Sequence, residues 1–172
     1  MLLELAEERS EDPVDFLLDL LRDDRFSTNG VYFCMQEQDI ATVLRYPRTM
    51  IGTDGLYYKN CSGAHPRAFG TFPRVLGHFV REKGVITMED AIRKMTSLPA
   101  CVYGLKGKGL IRTGMDADIV LFDPDTVTDQ ADFIHCKQRG VGIMYVILDG
   151  KITVDQGRFN NKCFGRLIRR GD

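Results

Sequence analysis

The chain has 172 residues, of which 44% are hydrophobic and 27% are charged, and its formal net charge is -1. This composition is typical of a globular protein and excludes the disordered and fibrous classes. The near-neutral charge gives no electrostatic reason to expect nucleic acid or a membrane surface as a partner. No apolar run reaches the roughly 18 residues of a membrane span, and the acidic N-terminus is unlike a signal peptide.

The cysteine pattern bears on the cellular compartment. The five cysteines are odd in number and widely spaced, and no two of them form a Cys-x-x-Cys pair. This spacing argues against a disulfide framework or a zinc ribbon, and it is typical of a reducing environment. The sequence therefore predicts a cytoplasmic protein.

The first half of the chain alternates between helical and strand patterns. Asp12-Pro13 is an N-cap followed by proline at the first helical position, which predicts a helix of roughly three turns. A short apolar run at 31–35 predicts a buried strand. Residues 38–45 then predict a helix that ends at Pro47, and 49–51 predict a second strand. Strands joined by crossover helices imply a parallel sheet.

Two more helices are predicted before Gly104, after which the sequence pattern changes. An apolar stripe at 72–80 predicts one of them, after a loop that reaches to about Phe69. Thr87 with Asp90 resembles a capping box and predicts the start of the next, with Pro99 just beyond its end.

After Gly104 the pattern favours β-structure. Runs at 119–122 and 142–148 predict strands, and Leu148-Asp149-Gly150-Lys151 predicts a hairpin with a type I′ turn. The second half is therefore predicted to be a small antiparallel module. The change of pattern predicts a division of the chain into residues 1–104 and 105–172.

Asp54 is the sharpest candidate for a site residue. It follows the predicted strand at 49–51 and is flanked by Gly52 and Gly55. Sites in parallel α/β folds are built at the C-terminal ends of strands, where a carboxylate can ligate a metal or transfer a proton. An ordinary Asp-Gly turn is the alternative, and the local sequence does not separate the two.

A short basic motif follows Asp54. Arg67, 13 residues further on, is either a clamp for a substrate carboxylate or an ordinary surface arginine. His65 is a candidate ligand or acid–base group, or a loop residue that hydrogen-bonds locally. His78 and His135 are not spaced with another histidine, so we expect no metal site made of the chain's own histidines.

Other polar residues have a structural interpretation. Arg74, near a helix start, is expected to form a structural ion pair. Alternation in a strand would place Asp116 and Asp118 on one face, where a structural or turn role is favoured. Tyr57 and Tyr58 follow Asp54 closely and are candidates to line a pocket.

These stretches together resemble a known family. Met50-Ile51-Gly52-Thr53-Asp54-Gly55, His65-Pro66-Arg67 and the stretch from Gly70 to Gly77 are similar to the D-aminoacylase and N-acyl-D-amino-acid deacylase group of the amidohydrolase superfamily. Residues 109–111, 114–122 and 149–151 resemble the C-terminal β-sandwich return of that superfamily. The resemblance covers nearly the whole chain.

The resemblance implies a role for each site residue. Asp54 would be the general base on metal-activated water and would then protonate the leaving amine. Arg67, with His65 in the same motif, would bind the carboxylate of a small-molecule N-acyl-D-amino acid. Zinc is the usual cofactor of the complete enzymes. Their His-x-His pair lies on earlier strands and is absent here, so we expect no metal site within this chain, although Asp54 is a possible ligand.

The resemblance also implies that the chain is a fragment. Residues 1–104 would be the last two β/α units of a TIM-like barrel, and residues 105–172 part of an antiparallel β-sandwich. Two strands cannot close a barrel, which needs about eight. We therefore expect no turnover by the chain alone, and either a homo-oligomer or association with the missing barrel portion.

Two alternatives remain open from the sequence. One is a segment of a cyclic-amide amidohydrolase, such as a dihydroorotase or hydantoinase relative, which shares the C-terminal return. The other is a non-catalytic scaffold or interaction module that keeps this piece of the fold. Zinc content and cleavage of N-acetyl-D-amino acids discriminate between the enzyme and the scaffold.

Overall fold

The structure, a computed structural model, describes residues 1–28, 30–56 and 65–169. The chain forms two compact units, Met1–Cys34 and Met35–Asp172. In the parts of the chain that the structure describes, no helix has the length and apolar character needed to span a membrane.

The first unit contains two helices, α1 (Leu2–Glu8) and α2 (Pro13–Asp23). The Asp12 carboxylate accepts hydrogen bonds from the backbone amides of Val14 and Asp15, at 2.8 and 3.3 Å. These bonds satisfy amides that lack partners inside the helix, so the predicted N-cap is confirmed. Helix α1 was not predicted, because its seven residues carry no proline or polar side-chain cap to mark where it begins.

The second unit begins with helical elements. They are α3 (Glu37–Arg45), α4 (Arg67–Arg74), a π-helix (Val75–Glu82) that continues α4, α5 (Met88–Met95) and α6 (Ser97–Tyr103). The Thr87 hydroxyl accepts a hydrogen bond from the Asp90 amide, which confirms the predicted start of α5. Helix α6 was not predicted, because a proline such as Pro99 is typical of the end of a helix. It lies instead in the first turn of α6, where a helix does not need its amide.

The β-rich half folds into one antiparallel sheet. Its strands follow chain order: β1 (Ile119–Phe122), β2 (Ile143–Leu148), β3 (Lys151–Asp155) and β4 (Arg158–Phe159). Asp149 and Gly150 join β2 to β3 with φ values of 51° and 75°. Two successive positive φ values define a type I′ turn, so the predicted hairpin and antiparallel module are confirmed.

The predicted strands at 31–35 and 49–51 are wrong for this chain. Neither segment is a strand, and the described residues form no parallel sheet. Apolar residues make a strand only where an extended neighbour accepts and donates the ladder hydrogen bonds. Ile51 donates its amide to the carbonyl of Lys94, 3.1 Å away at the end of α5. The segment is therefore held by a helix terminus, not by a sheet.

A small core ties the helices of the second unit to its β-rich half. The buried cluster consists of Leu44, Val75, Leu76, Phe79, Ala91 and Val127. Each fully buried large aliphatic or aromatic side chain contributes about 1.5–3 kcal/mol relative to leaving it exposed. Ile51 packs against this cluster, which brings the chain to the start of the Asp54 loop.

Candidate functional site

The structure brings Asp54 and Arg67 together. The Arg67 Nη2 atom lies 3.0 Å from the Asp54 Oδ2 atom, and 84% of the Asp54 side chain is exposed. Arg67 is the first residue of α4, whereas Asp54 lies in the loop after Ile51 with φ at +45°. Tyr57 and Tyr58 lie outside the described residues. The ion pair therefore presents a carboxylate and a guanidinium side by side at the surface.

Gly55 allows the close approach on which this pair depends. A Cβ atom at Gly55 would lie 2.7 Å from the Ala68 Cα atom, in the first turn of α4. No heavy atom lies within 4 Å of the corresponding position at Gly52. The absence of a side chain at Gly55 thus lets the Asp54 loop pack directly against the start of α4.

We predict that Gly55→Ala breaks the Asp54–Arg67 ion pair, because the added methyl group must push the first turn of α4 away. The measurement is the NMR resonance of the Arg67 Nε–H group, which should move toward its value in Asp54→Asn. Gly52→Ala is the matched control and should leave that resonance in place. An unchanged Arg67 signal in Gly55→Ala would contradict the assigned contact.

His65 holds the start of α4. Its Nδ1 atom accepts a hydrogen bond from the Arg67 amide at 3.1 Å, and its ring meets Phe133 edge-on with 5.1 Å between centroids. Burial, followed by the positive charge of Arg67, lowers the pKa of His65, while the charge of Asp54 opposes them. A neutral ring with a lone pair on Nδ1 is the form that this hydrogen bond requires.

Protonation of His65 is predicted to loosen the start of α4. Because the folded state lowers the pKa of His65 below its ordinary 6.5, this contribution to stability is complete above that pH. It is lost as the pH falls through the lower, folded-state value. Hydrogen exchange of the Arg67 amide should therefore gain protection from pH 5 to pH 7.5 beyond the intrinsic rate change.

His65→Asn is the control for this pH dependence. Asparagine offers an oxygen to the same amide and does not titrate, so the extra pH dependence at Arg67 should disappear. Equal pH dependence in the two proteins would show that His65 does not hold the helix start.

A cavity of about 670 Å³ opens beside Arg67 of the Asp54–Arg67 pair. Its volume is within the size range of small-molecule sites. Its wall is mostly apolar and comes mainly from α3, residues 49–52, α4, the π-helix and residues between 129 and 133. His65, Arg67 and Phe133 contribute to the wall. Phe133 was not anticipated, because it belongs to an irregular segment far from Asp54 in sequence, and no local pattern marks it.

Other predicted candidates have structural contacts. Arg74 Nη1 lies 3.4 Å from the Asp129 carboxylate, which confirms the expected ion pair. His78 lies between the carboxylates of Glu37 and Glu82, at 2.8 and 2.9 Å, and so links α3 to the π-helix. Its hydrogen bond is the largest cause of the lowered pKa of Glu37.

Asp116 and Asp118 share one lysine partner. The Lys108 ammonium contacts both carboxylates, and their hydrogen bonds raise the pKa of Lys108. Asp118 also accepts a hydrogen bond from the amide of Asp149 in the hairpin turn, at 2.8 Å. These contacts attach the segment from Lys108 to Asp118 to the hairpin turn of the sheet, which is the structural role expected from the sequence.

The described residues do not by themselves form a metal centre. In the ranges 1–28, 30–56 and 65–169, no three His, Cys, Asp or Glu side chains come together as ligands would. A zinc site usually takes three or four protein ligands. Asp54 offers one exposed carboxylate, and His135, which contacts Asp132, lies in neither the Asp54–Arg67 pair nor the cavity wall.

Comparison with known proteins shows the family to which this chain belongs. The sequence matches the Amidohydrolase family model over residues 4–154. The chain belongs to the amidohydrolase family. It is 40% identical over 167 residues to a D-aminoacylase of Alcaligenes xylosoxydans xylosoxydans, a match that covers 97% of this chain and 33% of that amidohydrolase. The resemblance seen in the sequence is confirmed.

Solved structures of amidohydrolases agree with the match. A D-aminoacylase described for its binuclear metal center superposes with a TM-score of 0.81 at 39% identity, over 94% of this chain and 32% of that one. An N-acyl-D-glutamate deacylase from Bordetella bronchiseptica, complexed with zinc and a phosphonate inhibitor, gives 0.77 at 37% identity, over 88% and 31%. The chain thus spans about a third of the length of these relatives.

Proposed function

We propose that this chain is the C-terminal part of a metal-dependent N-acyl-D-amino-acid deacylase. The complete enzyme would hydrolyse the amide of an N-acyl-D-amino acid to a free D-amino acid and a carboxylic acid. The observation that carries the proposal is the 3.0 Å contact of Arg67 with the Asp54 carboxylate. The contact supports the proposal because a carboxylate can transfer a proton and a guanidinium can bind a second carboxylate.

Asp54 would move one proton in two steps. Its carboxylate first accepts a proton from the water whose oxygen attacks the amide carbon. It then gives that proton to the amine as the carbon–nitrogen bond breaks. The exposure of Asp54 supports this role, because both water and substrate can reach it.

Arg67 would hold the α-carboxylate of the substrate. A guanidinium has five N–H donors in a planar fork, so it can keep a contact with Asp54 while it pairs with a second carboxylate. His65 supports this role indirectly, because its hydrogen bond fixes the first turn of α4. His65 is thus better described as a residue that orients Arg67 than as a direct contact of the substrate.

A metal cofactor in the complete enzyme is supported by the metal-containing relatives, and zinc is the metal we propose. Because the described residues do not assemble a ligand set, its ligands are proposed to come largely from elsewhere in the complete enzyme. Asp54 would supply at most one of them.

The division of the chain is also a proposal. Residues 1–104 would belong to the barrel and 105–172 to the β-sandwich. The antiparallel sheet, which runs from Ile119 to Phe159, supports the second assignment. The first requires that residues 31–35 and 49–51 find pairing partners that this chain does not supply. Association with the remaining barrel, or with a second copy, would provide them.

Exposed apolar side chains support such an association. Tyr32, Phe33 and Met35 have 85%, 67% and 74% of their surface exposed. Apolar side chains clustered along one exposed segment are typical of an interaction surface. A mass measurement in dilute solution tests this, and a stable, compact monomer would contradict it.

The test of the proposed function is an assay of the complete protein against enantiomeric substrates. N-acetyl-D-amino acids should be hydrolysed and their L-enantiomers should not. Hydantoins and dihydroorotate serve as the comparison, because preference for a cyclic amide would favour the dihydroorotase or hydantoinase alternative. Absence of turnover with all of these substrates would favour the non-catalytic scaffold.

The isolated chain is predicted to show no turnover and no stoichiometric zinc. The physical reason is that Asp54 lacks neighbouring ligands among the described residues. Metal analysis after dialysis, together with an assay for D-amino acid release, checks both statements. A one-to-one zinc content with D-amino acid release would overturn the fragment account.

A further inference from the structure

Lys94 is a fully buried cation that the proposed reaction does not use. It lies near the end of α5, and 0% of its surface is exposed. Its ammonium donates hydrogen bonds to the carbonyls of Tyr46 and Thr49, at 2.5 and 3.5 Å. The Asp90 carboxylate, one turn earlier on α5, lies 3.7 Å away. Burying a charge costs free energy, so its hydrogen bonds and partner must offset that cost.

The main chain of α5 holds the same segment. Ile51 donates its amide to the Lys94 carbonyl at 3.1 Å. Arg93 donates to the Pro47 carbonyl at 2.7 Å and pairs with Asp90 at 2.8 Å. Hydrogen bonds from the side chains and backbone of α5 therefore hold residues 46–51, which follow the C-terminus of α3. A cation at such a terminus is also favoured by the helix dipole.

The segment 46–51 that α5 holds lies immediately before the candidate site. Asp54 follows Ile51 by three residues, so even a fully extended chain carries it only about 10 Å from the point of attachment. Beyond Ile51, the Asp54 loop meets α4 through Gly55 and the Arg67 ion pair. The position of Asp54 is thus set from one side by α5 and from the other by α4.

We propose that Lys94 is a positioning residue for Asp54. Its buried ammonium fixes the carbonyls of Tyr46 and Thr49, and thereby aligns the Asp54 carboxylate with Arg67. The importance of this alignment for catalysis rests on the proposed function. The alignment itself is a structural effect that does not depend on it. The Lys94 ammonium contacts Tyr46, Thr49 and Asp90, so its effect on Asp54 passes through the backbone of residues 46–53.

The test is a double-substitution comparison by NMR on this chain. In the unaltered chain, Asp54→Asn should shift the Arg67 Nε–H resonance, because the ion pair is lost. In Lys94→Met, whose apolar stem fills the same space, the pair is already broken, so the same change should have no further effect. Lys108→Met is the matched control. It removes another poorly exposed ammonium with two carboxylate partners, but Asp54→Asn should still shift Arg67 there.

Hydrogen exchange gives a second readout. The Thr49 and Ile51 amides should lose protection roughly 10- to 100-fold in Lys94→Met, the range for a hydrogen bond to a charged group. Sheet amides such as Val146 should be unchanged. If Lys94→Met does not fold, native-state exchange of the unaltered chain decides. Ile51 should then open in one unit with the α5 amides, and independent opening would overturn the proposal.

One result overturns the proposal outright. It fails if Asp54→Asn shifts the Arg67 resonance equally in the Lys94→Met background and in the unaltered chain. Because no substrate is present, that failure is distinct from failure of the deacylase assignment, which substrate hydrolysis decides. Lys94→Arg, which keeps a cation at this position, should retain part of the Arg67 response.

Discussion

Replacing Asp54 with asparagine is expected to lower the kcat of the complete enzyme by about 10²- to 10⁴-fold, the usual contribution of a positioned acid–base group. Asparagine keeps the size and the hydrogen-bonding oxygen but cannot accept the proton from water. KM should change little, because Arg67, the proposed ligand of the substrate carboxylate, is kept. The measurement is release of D-amino acid from an N-acetyl-D-amino acid.

Asp19→Asn is the matched control for this prediction. Asp19 also pairs with an arginine, Arg22 at 2.7 Å, and its side chain is about half exposed, but it lies in α2. Its loss should leave kcat within a factor of two. If Asp54→Asn were as active as Asp19→Asn, Asp54 would be an ordinary turn residue, which is the alternative that the sequence left open.

Gly142→Ala is expected to cause the largest loss of stability among single substitutions in the sheet region. Gly142 has φ at +78°, and a Cβ atom there would lie 2.5 Å from the backbone N and Cα atoms of Val127, a fully buried core residue. Left-handed strain and overpacking together should cost about 2–5 kcal/mol. Urea unfolding followed by circular dichroism measures the change.

Gly150→Ala separates the two contributions to that cost. Gly150 has nearly the same φ, +75°, yet no heavy atom lies within 4 Å of its Cβ position. It should therefore lose only about 1–2 kcal/mol, from backbone strain alone. Equal losses in the two variants would show that the contact with Val127 is not tight.

Features fixed by neighbouring residues were predictable from the sequence. Asp12 caps α2, Thr87 caps α5, and Asp149-Gly150 forms the type I′ turn, as expected. In each case the residues that determine the conformation lie within a few positions of one another. The conformation therefore follows from local hydrogen bonding and from the φ values that each residue tolerates.

Features fixed by distant residues were not predictable in this way. The 31–35 and 49–51 segments have strand-like composition, but pairing needs a partner, and composition does not supply one. The π-helix is another case. At Val75–Glu82 the helix packs Gly77 against Val127, and Arg81 donates to the Val127 carbonyl at 2.6 Å. Contacts with a residue this far along the chain produce no periodic pattern in the sequence from which the π-helix could be predicted.

The candidate site shows the same division. Asp54 and Arg67 were found through a motif, but their contact depends on Gly55 meeting Ala68. The Phe133 ring beside His65 and the Lys94 ammonium beneath residues 46–49 come from distant parts of the chain. The sequence thus predicted the candidate residues Asp54 and Arg67, and the structure adds the contacts around them, which the sequence did not predict.

The most direct test of the account is a crystal structure of the complete enzyme with a D-amino acid product bound. We predict that Arg67 donates hydrogen bonds to the product α-carboxylate, with the Asp54 carboxylate within hydrogen-bond distance of the product amine. A product held by other side chains, with Arg67 and Asp54 both remote from it, would contradict the assignment of this site.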